Sequence, residues 1–462
     1  MCDKTNIAFI FLAKSTFVFL TCLLVIGCQH TKVTHAHSDA PNSSAHSTRN
    51  TPLTPVTSSI PPLTIDNKGA LNTPFAETHI GAAQFPKYLP LLKGKKVGLI
   101  VNQTSVLPPN YAGVRLHLVD ALLGKGINVQ KVFAPEHGFR GNKGAGEKIT
   151  DNIDIATGLP ILSLYGKTKK PTPKMLEDID ILVFDIQDVG VRFYTYISTM
   201  HYAMEAAAEN NIPFVVLDRP NPNGRFIAGP VLEREVQSFV GIHPIPVQHG
   251  LTVGELALMI KGEQWIAQAE ALQLNVISMP QYHKDMVYSL PVAPSPNLPN
   301  DNAIRMYASL CLLEPTTVSI GRGTDYPFQM LGHPALSVLL PELAKQDKLN
   351  NITPTSLPES APYPKWQDTE IPALTLTQTK MVKRLEGFNL TWVYQIYHAM
   401  TTQEKAFITS ESFFDKLAGT KRLREQLEAG VPLAEIEQSW EADLQTYKKT
   451  IKPYLLYPVG SN

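Results

Sequence analysis

Ile181 to Thr199 reads ILVFDIQDVGVRFYTYIST. Its first four residues, Ile181 to Phe184, are apolar without a break and form a short buried strand. The chain then turns polar within two residues, so Asp185, Gln187, Asp188 and Arg192 stand where that strand ends. In an open α/β sheet this edge is where ligands bind, because the crevice lies outside the carboxyl ends of the strands. Gly190 permits a sharp turn after the two carboxylates. Arg192, Tyr194 and Tyr196 follow as a forked donor and two rings with polar tips, suited to a polar, ring-shaped ligand. A salt-bridged strand-to-helix turn uses the same residue types, but two more strands in the chain end in similar polar clusters.

Upstream, KKVGLIVNQ (Lys95 to Gln103) is a strand with polar residues at its end. LHLVDALLGKG supplies a helix with Leu116, Val119, Leu122 and Leu123 on one face and a Gly stop. VQKVFAPEHGFRG is a second strand ending at Ala134-Pro135, with Glu136, His137 and Arg140 just beyond it and Gly138 and Gly141 allowing tight turns. LPILSLYG, a helix near Lys174 to Asp178, the 181–184 strand and the helix YISTMHYAMEAAAENN continue a βαβα alternation. IPFVVLDRPNPNG is apolar to Leu217 and then offers Asp218, Arg219, Asn221 and Asn223 on a proline-stiffened turn. Right-handed crossovers bring the ends of parallel strands to one edge. The expected fold is therefore a Rossmann-like, doubly wound, mainly parallel sheet over 81–300, followed by a smaller mixed α/β domain over 301–462.

Further on, His249 precedes Thr252-Val253-Gly254-Glu255, which has the form of a capping box and opens a helix through Ile260. APSPNLPN (Ala293 to Asn300) is a proline-locked loop presenting Asn297. Beyond it come the helix AIRMYASLCLLE, an expected strand TTVSIGRGT, a Pro-rich stretch and at least three C-terminal helices.

At 462 residues the chain exceeds one ordinary core. Lys plus Arg and Asp plus Glu number 41 each, which removes the electrostatic case for nucleic acid or an anionic membrane surface. Lys4 and Lys14 precede an uncharged apolar stretch, Ser15 to Gly27, which has the length of a signal-peptide core and is too short to span a bilayer comfortably. Leu24-Val25-Ile26-Gly27-Cys28 resembles the lipobox of bacterial lipoproteins, so 1–27 is expected to be a signal peptide and Cys28 a lipidated residue. Residues 28–80 read as a disordered tether, rich in Ser, Thr, Pro, Asn and His up to about Pro62. About thirty such residues reach roughly 30 Å. Four of its histidines, His30, His35, His37 and His46, are irregularly spaced, and no metal is assigned. A membrane is thus expected only through the lipid. The lipid is expected to hold the protein at the cell envelope, and Gln29, rather than Asp, after the cysteine implies the periplasmic face of the outer membrane if that envelope is Gram-negative. Among the four cysteines this leaves Cys311 as the one thiol, in the apolar run MYASLCLL.

The chain lacks the P-loop, G-x-G-x-x-G, G-x-S-x-G and H-E-x-x-H motifs and the S-x-x-K set with its partners, so phosphoryl transfer, serine acyl transfer and zinc proteolysis have no support. Carboxylates beside arginines, amides, tyrosines and histidines suit sugar binding and glycoside hydrolysis, which needs no cofactor. FAPEHGFRG, GAGEKI, TGLPILSLYG, VFDIQDVGVRFYTYIST, LDRPNPNG, FVGIHPIPVQHGLTVGELA, PSPNLP, SIGRGTDYPF and FDKLAGTKRLREQL occur in order from about Gly94 to the C-terminus. Together they resemble the bacterial exo-β-N-acetylmuramidase family, the NamZ-like glycoside hydrolases. One departure is Pro315 in LEPTTVS, where that family is expected to have Gly.

The resemblance implies a Rossmann-like domain, a smaller C-terminal domain with the active site between them, and release of N-acetylmuramic acid from the non-reducing ends of peptidoglycan fragments or muropeptides. It points to Glu136 of PEHG as general acid/base and to either Asp185 or Asp188 as the second catalytic group. Glu147 of GAGEK is a third choice for that second group, placed otherwise among the substrate-binding residues. Arg140, Arg192 and Arg322 are its candidates for the lactyl carboxylate, which a bidentate fork would read. His137, Tyr194, Asp218, Asn221, Asn223, His249 and Asn297 are its candidates for the sugar ring, hydroxyls and acetamido group.

Overall fold

The central strands of the main sheet alternate their side chains between two apolar layers, and those layers define the architecture. The computed structural model describes residues 76–110, 112–139, 152–339, 341, 349–358, 360–376, 387–402 and 407–458. Cys28, Arg140, Glu147 and the expected signal segment lie outside them.

The first strands are β1 (Val97–Val101), β2 (Val129–Ala134), β3 (Asn152–Ile153), β4 (Pro160–Ser163), β5 (Ile181–Asp185) and β6 (Phe214–Leu217). They are followed by the hairpin of β7 (Ile227–Val231) and β8 (Pro246–His249), and by β9 (Leu274–Ile277). Seven strands make one sheet in the order β3-β4-β2-β1-β5-β6-β9. Apart from the antiparallel edge pair β3 and β4, all its neighbours are parallel. From β4 to β9 this is the order of a dinucleotide-binding fold, with the chain reversing its direction of travel across the sheet between β1 and β5.

Leu99, Val101, Ile181, Val183, Val215 and Leu217 face one apolar layer. Helices α1 (Phe85–Leu92) and α2 (Leu118–Gly124) add Tyr88, Leu92, Leu118 and Leu122 to that layer. Ile100, Phe133, Leu182, Phe184, Phe214 and Val216 face the other. There the short α3 (Pro173–Leu176) joins α4 (Tyr196–Glu209) and α5 (Val253–Gly262). With helices on both faces the sheet is doubly wound, as expected. The capping box of α5 is present: Thr252 Oγ1 accepts from the Glu255 N–H at 3.2 Å, and the Thr252 N–H reaches Glu255 Oε2 at 3.0 Å.

After α6 (Asp301–Leu310) and a 3₁₀ turn at Cys311–Leu313, the chain builds α7 (Leu336–Leu339) and a small antiparallel sheet. That sheet orders β10 (Met330–Gly332), β12 (Ile371–Thr375) and β11 (Asn350–Ile352) with β12 central. Helices at Thr391–Thr402, Glu411–Ala418, Arg422–Glu428, Leu433–Gln438 and Glu441–Thr450 complete it. The second apolar layer runs unbroken into these elements, through Tyr307, Leu331, Trp392 and Phe414.

The expected strand TTVSIGRGT is corrected: residues 316–324 make isolated bridges only, Thr316 with Ile408 and Ser319 with Gly332. Hydroxyls are the reason. Thr316 Oγ1 accepts from the Val318 N–H, Ser319 Oγ from the Gly321 N–H and Thr324 Oγ1 from the Tyr326 N–H, so this backbone is turned locally. Pro315 lies in the turn before it, closed by the Thr316 N–H on the Leu313 carbonyl at 3.2 Å.

Candidate active site

The end of β2 delivers Glu136 into a cleft of about 340 Å³. Pro135 and the Gly138 N–H, 3.1 Å from the Pro135 carbonyl, close a tight turn, and His137 sits in the left-handed region at φ 70°. Glu136 is half-buried, and its Oε2 accepts from Thr195 Oγ1 at 2.6 Å. Thr195, at the N-cap position of α4, thereby orients the carboxyl group.

Tyr194 and Tyr196 meet edge to face with centroids 4.8 Å apart. Their hydroxyls donate to the same acceptor, the Pro294 carbonyl, at 2.8 and 2.9 Å. Gln103, just past β1, donates to that carbonyl as well, so the proline loop is tied to two strand ends. Burial pushes both phenols up, which keeps them protonated donors at neutral pH. Tyr165, Phe239, Phe193 and Tyr307 add ring surface to the walls. Rings of this kind stack on the apolar face of a sugar while carboxyl and amide groups take its hydroxyls.

Asn297, in the anchored loop, donates from Nδ2 to the Ser360 carbonyl at 2.8 Å. Arg322 Nη2 donates to the same carbonyl at 3.2 Å, and its Nη1 to Glu314 Oε1 at 3.1 Å. Burial works against the Arg322 charge, but the Glu314 carboxylate more than offsets it and holds that pKa above the ordinary arginine value. Glu136, His137, Tyr194, Tyr196, Asn297 and Arg322 are thus the expected residues that line the cleft, together with Thr195, Tyr165, Tyr307 and Glu314, which the sequence reading missed. Glu314 does follow an apolar run, as the expected acids do, but that run is a helix and not a strand.

The other expected residues among those described are buried and do not line the cleft. Asp185 has no exposed surface and takes Arg219 in a two-pronged pair, Nε to Oδ1 at 2.6 Å and Nη2 to Oδ2 at 2.9 Å. Asp188 Oδ2 accepts from the Gly190 N–H at 2.6 Å and lies 3.8 Å from His249 Nε2. Arg192 is corrected as a carboxylate reader: its fully buried guanidinium donates to the Pro230, Ile245 and Leu417 carbonyls at 2.7 to 2.9 Å. Asp218 caps α5, accepting from the Gly254 N–H and the Thr252 and Tyr457 hydroxyls. Asn221 and Asn223 staple the turn after β6: Asn221 Nδ2 holds the Leu251 carbonyl and Asn223 Nδ2 holds Val189. His249 Nδ1 accepts from the Leu251 N–H.

Comparison with known proteins bears on the same residues. Family models described as the N-terminal and C-terminal parts of "Exo-beta-N-acetylmuramidase NamZ" match residues 97–302 and 305–457, and the cleft takes its lining from both stretches. A relative from Bacillus subtilis (strain 168), named peptidoglycan beta-N-acetylmuramidase NamZ, is 43% identical over 382 residues, covering 80% of this chain and 89% of its own. Two crystal structures from Bacteroides fragilis NCTC 9343, both of DUF1343 family proteins, share the fold. One is 40% identical with a TM-score of 0.71, the other 31% with 0.69, and each comparison covers 82% of this chain and 99% of the other. The chain belongs to the NamZ family of exo-β-N-acetylmuramidases.

Proposed function

We propose that the protein is an exo-acting glycoside hydrolase that releases N-acetylmuramic acid from the non-reducing ends of peptidoglycan fragments during cell-wall turnover. What carries the reading is the 43% identity to a peptidoglycan muramidase across 80% of this chain and 89% of the relative. The cleft supports it chemically. Glu136 gives its proton to the glycosidic oxygen, with the Thr195 hydroxyl at 2.6 Å holding the carboxyl in place. Aromatic walls take the sugar ring. Peptidoglycan-derived glycans or muropeptides are the substrates this reading implies.

The test is turnover of a chromogenic β-N-acetylmuramic acid glycoside and of a muropeptide. Wild type releases N-acetylmuramic acid, and Glu136→Gln loses about 10²–10⁴-fold in kcat at an unchanged melting midpoint. Tight binding without turnover by the wild type would instead identify a peptidoglycan-fragment binder.

The same reading extends to place. Cys28, at the end of the lipobox-like LVIGC, is the lipidated residue from which the tether holds the enzyme at the cell envelope. A single acyl chain anchors only marginally, so the multiply acylated form is required. Fractionation checks this: wild type is expected with membranes and Cys28→Ala in the soluble fraction, and equal soluble amounts of both would refute the anchor.

A further inference from the structure

Hydrolysis by a carboxyl pair needs one group to protonate the leaving oxygen and another to meet the positive charge that develops on the sugar as that oxygen departs. The aspartates at the end of β5 do not offer the second. Asp185 is closed on Arg219, and Asp188, with Oδ2 on the Gly190 N–H and Oδ1 unpartnered, is buried outside the cleft lining. Among the described residues that line the cleft, the carboxylates are Glu136 and Glu314.

These two come from opposite ends of the architecture, Glu136 from the strand end of β2 and Glu314 from the turn that follows α6. Both act on the Tyr307 phenol, which is pushed up chiefly by burial, then by Cys311, and further by each carboxylate. Glu314 is anchored through Oε1 on Arg322, and its side chain keeps 19% of its surface exposed. It also lines a second cavity of about 260 Å³ with Tyr363 and Lys365, so water reaches it from two sides.

We propose that Glu314 is the second carboxylate of the reaction, standing on the face of the anomeric carbon opposite Glu136; this rests on the hydrolase reading above and deepens it. As Glu136 gives its proton to the glycosidic oxygen, that oxygen leaves with the electron pair of the C1–O bond. The charge left on C1 and the ring oxygen is met by the Glu314 carboxylate. Water then bonds C1 and yields a proton to a carboxylate of the pair, which ends with one proton, as it began. Arg322 is a positioning residue that fixes the plane of the Glu314 carboxyl group.

The test uses the full chain in detergent, a β-N-acetylmuramic acid nitrophenyl glycoside and sodium azide. Glu314→Ala is expected to lose about 10²–10⁴-fold in kcat. Azide, entering the vacated space, should restore turnover and yield a muramyl azide of α configuration, identified by mass and NMR. Glu314→Gln, which keeps an acceptor for Arg322, should lose comparable activity at an unchanged melting midpoint. The inference is overturned if Glu314→Gln stays within tenfold of wild type, if activity falls only in step with the melting midpoint, or if the azide product is β. A wild type that turns over no muramic glycoside sinks the hydrolase reading and this one with it, whereas an active wild type with an active Glu314→Gln strikes this one alone.

Discussion

A carboxylate at a strand end is a catalyst or a structural ion depending on which neighbour reaches it first. Asp185 is reached by Arg219, 34 positions along the chain, with both side chains at or below 1% exposure. Removing one partner of such a pair leaves the other buried and unpaired, at a cost of about 3–5 kcal/mol. Arg219→Ala is therefore expected to lower the unfolding free energy by about that amount in urea titration. The folded fraction of Asp185→Asn should keep kcat within tenfold, and a thousandfold loss there would return Asp185 to the catalytic pair. The sequence made both residues visible as polar groups at strand ends. It did not show that they point at one another, because that depends on the register between β5 and β6. Arg192 was misread for a related reason: Pro230, Ile245 and Leu417, whose carbonyls it holds, lie between 38 and 225 positions downstream.

Among the elements, the strands were legible because unbroken apolar runs such as VGLIV, ILVF and FVVL have no other place in an α/β fold than a sheet buried on both faces. Turns carried their own signals. Gly190 has φ 75°, and a Cβ there would lie 2.1 Å from Asn221 Oδ1. Gly190→Ala is thus expected to cost about 1–3 kcal/mol through backbone strain, besides displacing the Asn221 amide. Differential scanning calorimetry checks this, and an unchanged midpoint would refute the tight approach of the two turns. The C-terminal part was less legible, since in 316–324 a β-like pattern is overridden by hydroxyls that bond their own backbone. Glu314 escaped notice because no local pattern says that the end of α6 meets the end of β2. That meeting is made by packing between residues well apart in sequence, such as Phe193 on Tyr307 at 5.2 Å.

On the scale of the whole molecule, acid should weaken the fold through a buried histidine pair. His201 of α4 and His243, shortly before β8, approach through Nδ1 and Nε2 at 3.1 Å. Burial is the chief cause that lowers the His201 pKa to about 4, with Glu205 opposing and Lys170 assisting, and burial drives His243 well below its ordinary value. Between an unfolded value near 6.5 and the folded value near 4, the unfolded chain takes up a proton that folded His201 refuses. The stabilisation is therefore fully present above about pH 6.5 and lost as pH falls toward 4, and the 2.5-unit difference corresponds to about 3 kcal/mol. Asp218 runs the other way. Burial raises it to about 7, so its contribution is present at low pH and lost as pH rises through 7. The two opposing trends flatten the wild-type profile between pH 4 and 6.5, and the difference from a variant is what isolates the histidine. In urea titrations the advantage of wild type over His201→Gln should shrink as pH is lowered from 7 to about 5. Equal differences at the two pH values would remove His201 from the acid response. Because α4 carries Thr195 and Tyr196 at its start, kcat is expected to fall with the same acid limb in wild type and to hold to lower pH in the variant.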